Sequence, residues 1–423
     1  MPQEPEQKKD AAKKPAKDNI KPSEKKPEDG ANTRPSMRPP LTPEQEELLK
    51  KKARKRRLSL GISTAVLVLA ATALILFLTG VFSRDSGPGL PELPPGNTGT
   101  VNTKAVNPFT GLRELDPAAA GKRGVAFMVN NAPAARPQWG LCSPDVILET
   151  MVEGGITRML FMYADLNAVP KIGPIRSARH DFVEIAEGFD MFFMHWGGSP
   201  QAYSAIRNRG VNDLDGMVYS GKYFYRDKTR LNNGIALEHT AYTNGEYMAK
   251  GIEAKGWRTQ LNSGKAEPFK FVAESTPPRV PGEGTAAEVN FRFSSSFKYS
   301  FKYDSASGLY AQSLNGTPFI QEEGKKPREV TNVILLYINI RNIAGDKKGR
   351  VSIDLSGGAG LYLSAGGWES ITWKKGQPND PLTLLDKDGK ELELNRGKGY
   401  IGMVPVGQKG NTKITEAAAS IES

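Results

Sequence analysis

From Leu58 to Phe82 the chain runs for 25 residues without a charged side chain, and no other feature constrains it as much. As an α-helix rising about 1.5 Å per residue, this run exceeds the ~30 Å of bilayer hydrocarbon and can span a membrane with some tilt. A soluble helix would normally keep a polar stripe. Lys50-Lys51-Lys52-Ala53-Arg54-Lys55-Arg56-Arg57 stands directly before the run, and a single Arg and Asp85 follow it. By the positive-inside rule, residues 58–83 are expected to form one span, with the N-terminus cytoplasmic and all later residues extracytoplasmic. A cleaved signal peptide would need a lead of 57 residues, far longer than the usual n-region. No cysteine lies near the end of the run to take a lipid. An uncleaved anchor in the plasma membrane is therefore expected, with the lipid bilayer as its first partner.

Charge follows the same division. The net charge is +11; residues 1–57 hold 17 Lys+Arg against 10 Asp+Glu, and the chain beyond the run holds 40 against 36. A folded part so mildly basic argues against a nucleic-acid partner. Residues 1–57, rich in Lys, Glu, Pro, Asp and Ala, cannot bury enough surface to offset chain entropy and are expected to be a disordered cytoplasmic tail, able to lie against anionic headgroups. Residues 84–107, with Gly-Pro-Gly and Pro-Glu-Leu-Pro-Pro-Gly, suggest an extended linker. Cys142 is the one cysteine and there are three histidines. This excludes an intrachain disulfide and a cysteine metal cluster. Without a His-Glu-x-x-His motif no zinc site is expected, nor any other metal or cofactor.

Two textures divide the folded part and predict an α+β chain: a motif-rich α/β domain over 108–264, a mainly antiparallel β domain over 265–412, and a loose tail over 413–423. In the first, Gly124–Val129 suggests a buried strand. Asp145–Met151 and Thr157–Tyr163 suggest a strand pair turning at Glu153-Gly154-Gly155. Ser177–Glu187 suggests a helix capped by Ser177, and Asp190–His195 a strand. Ser199–Arg209 suggests a helix with Pro at its first position, and Thr243–Lys255 another. In the second, Val289–Phe293, Tyr299–Tyr303, Val333–Ile340, Val351–Leu355 and Gly360–Leu363 suggest strands, with hairpin signals at Asn315-Gly316 and Asp388-Gly389.

Chemistry-bearing residues concentrate between Asn130 and His239. Arg176 and Arg179 at a predicted helix start would add planar guanidinium donors to backbone N–H groups that already favour anions. Arg136, Arg158, Ser177 and Asp181, with Gly197, Gly198 and Ser199 at the next strand end, complete an expected ligand-binding set. The arginines could equally pair with Glu149, Glu153 or Asp181 inside the fold. Glu149 and Glu153 are candidate catalytic carboxylates, for a mechanism that needs two carboxyls about 5–9.5 Å apart. His195 is a candidate general base. Ser199 lacks the Gly-x-Ser-x-Gly context of a nucleophile elbow.

Four motifs in order resemble the YerB-like lipoprotein family of Gram-positive bacteria: Asn130-Asn131-x-Pro133-Ala134-Ala135-Arg136-Pro137-Gln138, Glu153-Gly154-Gly155-Ile156-Thr157-Arg158, Lys171-Ile172-Gly173-Pro174-Ile175-Arg176-Ser177-Ala178-Arg179 and His195-x-Gly197-Gly198-Ser199-Pro200. Thr372-Trp373-Lys374-Lys375, Asp386–Gly389 and the run to Pro405 resemble its C-terminal domain. The resemblance implies two domains, the motif-rich one first, and names no reaction, because the family is a domain of unknown function. Many relatives carry a lipid-anchor cysteine near the N-terminus, where this chain carries the apolar run. The expectation is an envelope protein that binds an anionic ligand, a cell-wall polymer or an envelope protein, through an arginine-lined site. A hydrolase or lyase of envelope glycans or phosphodiesters, and a structural partner of envelope or division machinery, are the alternatives.

Overall fold

Val125–Asn130 is buried at every position, as a strand covered on both faces must be. In the computed structural model, which describes residues 103–265 and 267–416, this strand lies inside a large mixed sheet. In chain order the elements of the first half are β1 (Val125–Asn130), β2 (Val146–Met151), β3 (Thr157–Tyr163), α1 (His180–Gly188), β4 (Phe192–His195), α2 (Pro200–Arg209), β5 (Asp213–Asp215) and α3 (Gly245–Lys255). The second half adds β6 (Glu288–Ser294), β7 (Phe297–Asp304), β8 (Leu309–Leu314), β9 (Asn332–Ile338), β10 (Gly357–Ser364), β11 (Gly367–Lys374) and β12 (Gly399–Pro405).

The large sheet runs β11-β10-β9-β12-β2-β3-β1-β4-β5. Strand β12 joins the two halves: it pairs in parallel with β9, Gly402 opposite Leu335, and in parallel with β2, Gly402 opposite Glu149. The β2-β3-β1 unit is antiparallel, while β4 and β5 extend the sheet in parallel. The smaller sheet is antiparallel, with β7 between β6 and β8, and Lys413–Thr415 on the far side of β6.

Side-chain alternation assigns the two faces of the large sheet. Ile147, Met159, Phe161, Val333, Leu335 and Tyr400 face one core, where Phe291, Tyr299 and Phe301 of the smaller sheet meet them. Leu148, Leu160, Met162, Ile334, Leu336 and Met403 face the other, filled by Phe182, Val183 and Ile185 of α1. Each such side chain contributes about 1.5–3 kcal/mol by burial. This explains why strands of opposite halves hold one sheet together.

The architecture is mainly β, with three longer helices of 9, 10 and 11 residues, and so less helical than an α/β first half would be. Helix α2 forms as its sequence suggests: the Ser199 hydroxyl accepts from Ala202 N at 3.0 Å, Pro200 follows, and Gly210 closes it at φ 65°. Asn315 and Gly316, at φ 52° and 81°, turn β8 into Thr317–Pro318. Two boundaries move. Ala105–Val106, assigned to the linker, pairs with Arg113–Leu115, and Asn107 is buried with its amide donating to Asp145 at 3.0 Å. Lys413–Thr415, assigned to the loose tail, completes the smaller sheet. The expected cytoplasmic tail, the expected membrane span and the expected linker up to residue 102 lie outside the described residues. Among those described, no helix is long and apolar enough to cross a membrane.

Candidate functional site

The segment 172–178 is stitched to three neighbours. Ile172 N donates to Thr243 O at 2.9 Å, Ile175 N to Ala241 O at 2.8 Å and Arg176 N to Met128 O at 2.8 Å. Trp196 N donates to Arg176 O at 3.0 Å and Ala178 N to Gly197 O at 2.9 Å. Gly173 permits the close approach: its φ is +151°, and a Cβ there would lie 2.4 Å from Ala241 O. These bonds keep 176–178 extended. Helix α1 therefore begins at His180 with Arg179 at its N-cap, rather than at Ser177. Its first turn holds its own acid, Asp181, whose carboxylate accepts from Ile353 N at 3.0 Å.

Arg158 and Arg179 converge on Glu153. Arg179 Nε donates to Glu153 Oε2 at 2.9 Å and its Nη2 to Oε1, while Arg158 Nη2 reaches Oε1 at 3.2 Å. Each also donates one Nη1–H to a backbone oxygen, Arg158 to Ser177 O and Arg179 to Ala178 O, both at 2.7 Å, while Arg158 Nε is buried without a partner. Burial pushes the Glu153 carboxyl up, but the Arg179 hydrogen bonds and both guanidinium charges outweigh it and hold the group at about 2. Burial, then the Arg179 charge, lowers Arg158 to about 9.

The other nominated groups are also engaged. Glu149 is fully enclosed between the sheets: Asn131 Nδ2 at 2.8 Å, Tyr299 OH at 2.7 Å and the Thr157 hydroxyl donate to Oε1, and Tyr400 OH donates to Oε2 at 2.9 Å. Burial pushes its carboxyl up. Arg136 donates to Asn131 Oδ1 at 3.1 Å and Asn131 O at 2.7 Å, and lies over the Phe297 ring. His195 is buried, its Nδ1 2.8 Å from Gly197 O and its Nε2 3.0 Å from Asp213 Oδ2. Ser199 serves as the cap of α2. Gly197, at φ +75°, leaves room beside the Ser177 hydroxyl, and Gly198 lies against the Tyr203 ring.

Asp181 gives a pH signature. Burial raises it to about 7. A raised folded-state value favours folding at acid pH, and that contribution is lost as pH rises from about 4 through 7. Asp181→Asn is therefore expected to flatten the decline of stability over this window by up to about 4 kcal/mol. Urea unfolding at pH 4, 5.5 and 7 would show it; parallel stability curves for variant and parent would reject it.

Arg176 differs from its neighbours. Half-buried, it makes no side-chain hydrogen bond or ion pair among the described residues. Burial lowers it, with Glu238 acting in the opposite direction. Near it are two groups that the motifs did not nominate. Arg226 lies over the Trp196 ring at 3.7 Å and donates one Nη1–H to Leu237 O at 2.6 Å; its value falls through burial and the Arg176 charge. His239 falls through burial, with the Arg176 and Arg230 charges adding to the effect against that of Glu238. Asn130 fixes the His239 tautomer. Asn130 Oδ1 accepts from Ala132 N at 3.0 Å, so the amide nitrogen, 2.8 Å from His239 Nδ1, is the donor. The imidazole thus accepts at Nδ1 and carries its proton on Nε2, as a neutral donor. Arg176, Arg226 and His239 offer hydrogen-bond donors with one acid, Glu238, among them, an arrangement suited to an oxyanion. The larger cavities, such as 410 Å³ beside Arg279 and Glu369 and 280 Å³ beneath Trp257, are lined by other residues.

The sequence matches the description "Protein of unknown function (DUF3048) N-terminal domain" over residues 109–258 and the corresponding C-terminal domain over 288–401. It is 32% identical over 301 residues to a Bacillus subtilis (strain 168) protein described as "Putative lipoprotein YerB", covering 70% of this chain and 86% of that one. The crystal structure of YerB protein from Bacillus subtilis superposes with a TM-score of 0.62 at 30% identity, covering 74% of this chain and 99% of that one. The two matched segments correspond to the two halves joined by β12, and the chain belongs to the YerB-like, DUF3048 family.

Proposed function

We propose that this chain is a membrane-anchored binding protein of the cell envelope that holds an anionic group at Arg176, Arg226 and His239. The observation that carries the reading is the contrast among the motif arginines. Arg158 and Arg179 are ion-paired to Glu153 and also bonded to backbone oxygens, whereas Arg176 is half-buried with its guanidinium unbonded. A partly desolvated cation without a partner is costly, and an anion from a wall polymer or a peptide carboxylate would supply one. The candidate acids favour binding over hydrolysis, since the oxygens of Glu149 and Glu153 are occupied by donors within the protein. Arg176→Ala is expected to weaken binding to isolated wall material about 10- to 100-fold, the loss of a charge-assisted hydrogen bond of about 1.5–3 kcal/mol, and to leave the unfolding midpoint in place. Unchanged binding would reject the site.

The envelope location draws support from the relative's description as a lipoprotein and from the apolar run 58–83 behind its basic flank. In this reading the run is a single span, the N-terminus is cytoplasmic and the folded part lies outside. Met217 is 65% exposed. Met217→Cys in a Cys142→Ala background is expected to react with a membrane-impermeant maleimide on intact cells. Labelling only after permeabilisation would invert the topology.

A further inference from the structure

We infer that the ligand of the Arg176 site is an amphiphilic phosphate, an oxyanion carried on an alkyl or acyl chain. This rests on the anion-site reading above and adds its chemical class. The donor set comes from three separate chain segments: Arg176 from the stitched segment, Arg226 from the strand Tyr225–Arg226, and the neutral Nε2–H of His239 from the turn Leu237–His239. Donors from three segments suit an oxyanion with at least three oxygens better than a planar carboxylate with two.

A second, independent observation concerns the surroundings. Of the eight large hydrophobic side chains exposed among the described residues, five come from residues 203–237: Tyr203, Met217, Val218, Leu231 and Leu237. Val218 is 70% and Leu237 56% exposed. The turns that carry Met217, Val218 and Leu237 meet at the Trp196–Arg226 pair: a Cβ at Gly216 would touch the indole, and Arg226 donates to Leu237 O. Soluble surfaces seldom gather exposed apolar side chains around cations without a partner to cover them. A phosphate bearing a hydrocarbon chain matches both components, the head at the cations and the first methylenes over Met217, Val218 and Leu237.

The test uses the full chain in phosphate-free maltoside micelles, titrated by calorimetry with methyl phosphate, hexyl phosphate and hexanoate against empty micelles. Hexyl phosphate is expected to bind at least tenfold more tightly than methyl phosphate, since two buried methylenes give about fifteenfold, and also more tightly than hexanoate. Arg176→Ala should abolish binding of both phosphates. The double variant Met217→Ser/Leu237→Ser should keep methyl phosphate binding and lose the preference for hexyl. Equal binding of methyl and hexyl phosphate, both lost in Arg176→Ala, would overturn the amphiphile and keep the anion site. Hexanoate binding as well as hexyl phosphate would overturn the phosphate. Binding of neither phosphate, or binding indifferent to Arg176→Ala, would overturn the anion site itself. Phosphatidylglycerol added to the micelles weakens hexyl phosphate binding where a bilayer headgroup is the source and leaves it unchanged where a free amphiphile is; either result supports the class.

Discussion

Glu153→Ala is expected to lower the unfolding free energy by about 3–5 kcal/mol, the usual cost of removing one partner of a buried ion pair. The carboxylate is shared by two guanidiniums, those of Arg158 and Arg179, both buried. Without it both cations stay in the interior with only backbone oxygens to face, and their mutual repulsion is no longer compensated. The depressed Glu153 value agrees in sign and size. A folded-state value of about 2 means stability that is present above the ordinary carboxylate range and lost as pH falls toward 2, roughly 3 kcal/mol in all. Denaturant unfolding at neutral pH would measure the substitution; a loss below about 1 kcal/mol would show that the arginines find other partners. Glu153→Ala combined with Arg179→Ala should cost less than the sum of the two single changes, because the residues form one unit.

Glu149 should behave differently under two substitutions. Glu149→Ala leaves the hydroxyls of Thr157, Tyr299 and Tyr400 without their acceptor between two sheets, an expected loss of about 3–5 kcal/mol. Glu149→Gln keeps the shape and one acceptor oxygen. Burial raises the Glu149 carboxyl, so the fold favours its protonated form, which the amide imitates. The contribution of a raised carboxyl is complete below its unfolded-state value and lost as pH rises through its folded-state value. The glutamine variant is therefore expected to cost less than about 1 kcal/mol, and to gain on the parent as pH rises. A glutamine variant as unstable as the alanine variant would mean that the ionised carboxylate is what the hydroxyls require.

Local order was legible where short-range chemistry sets it. Ser199-Pro200 begins a helix because a hydroxyl cap and a proline suit its first turn, and Asn315-Gly316 makes a turn because both residues tolerate positive φ. The β2-β3 pair around Glu153-Gly154-Gly155 was equally readable. The start of α1 was not, because the bond from Ala178 N to Gly197 O overrides the capping preference of Ser177. The boxed Glu149 was also hidden: Tyr299 and Tyr400 come from distant strands, and nothing near Glu149 in the chain announces them. Of the motif arginines, Arg136 sits apart on Asn131 and Phe297, and only their partners distinguish Arg158 and Arg179, paired to Glu153, from Arg176. Arg226 escaped because it stands outside every motif, and His239 drew notice only as one of three histidines.

The place of β12 also governs the order in which the protein can be made. Strand β2 is finished early in synthesis, yet its outer neighbour is one of the last strands to leave the ribosome. Until then the β2-β3-β1 unit has an open hydrogen-bonding edge and an uncovered apolar face, a template on which other extended chains could pair. Contacts so remote in sequence also close slowly. The newborn first half is thus an incomplete sheet awaiting its closing strand, and a chain cut short before Gly399 would keep that edge permanently.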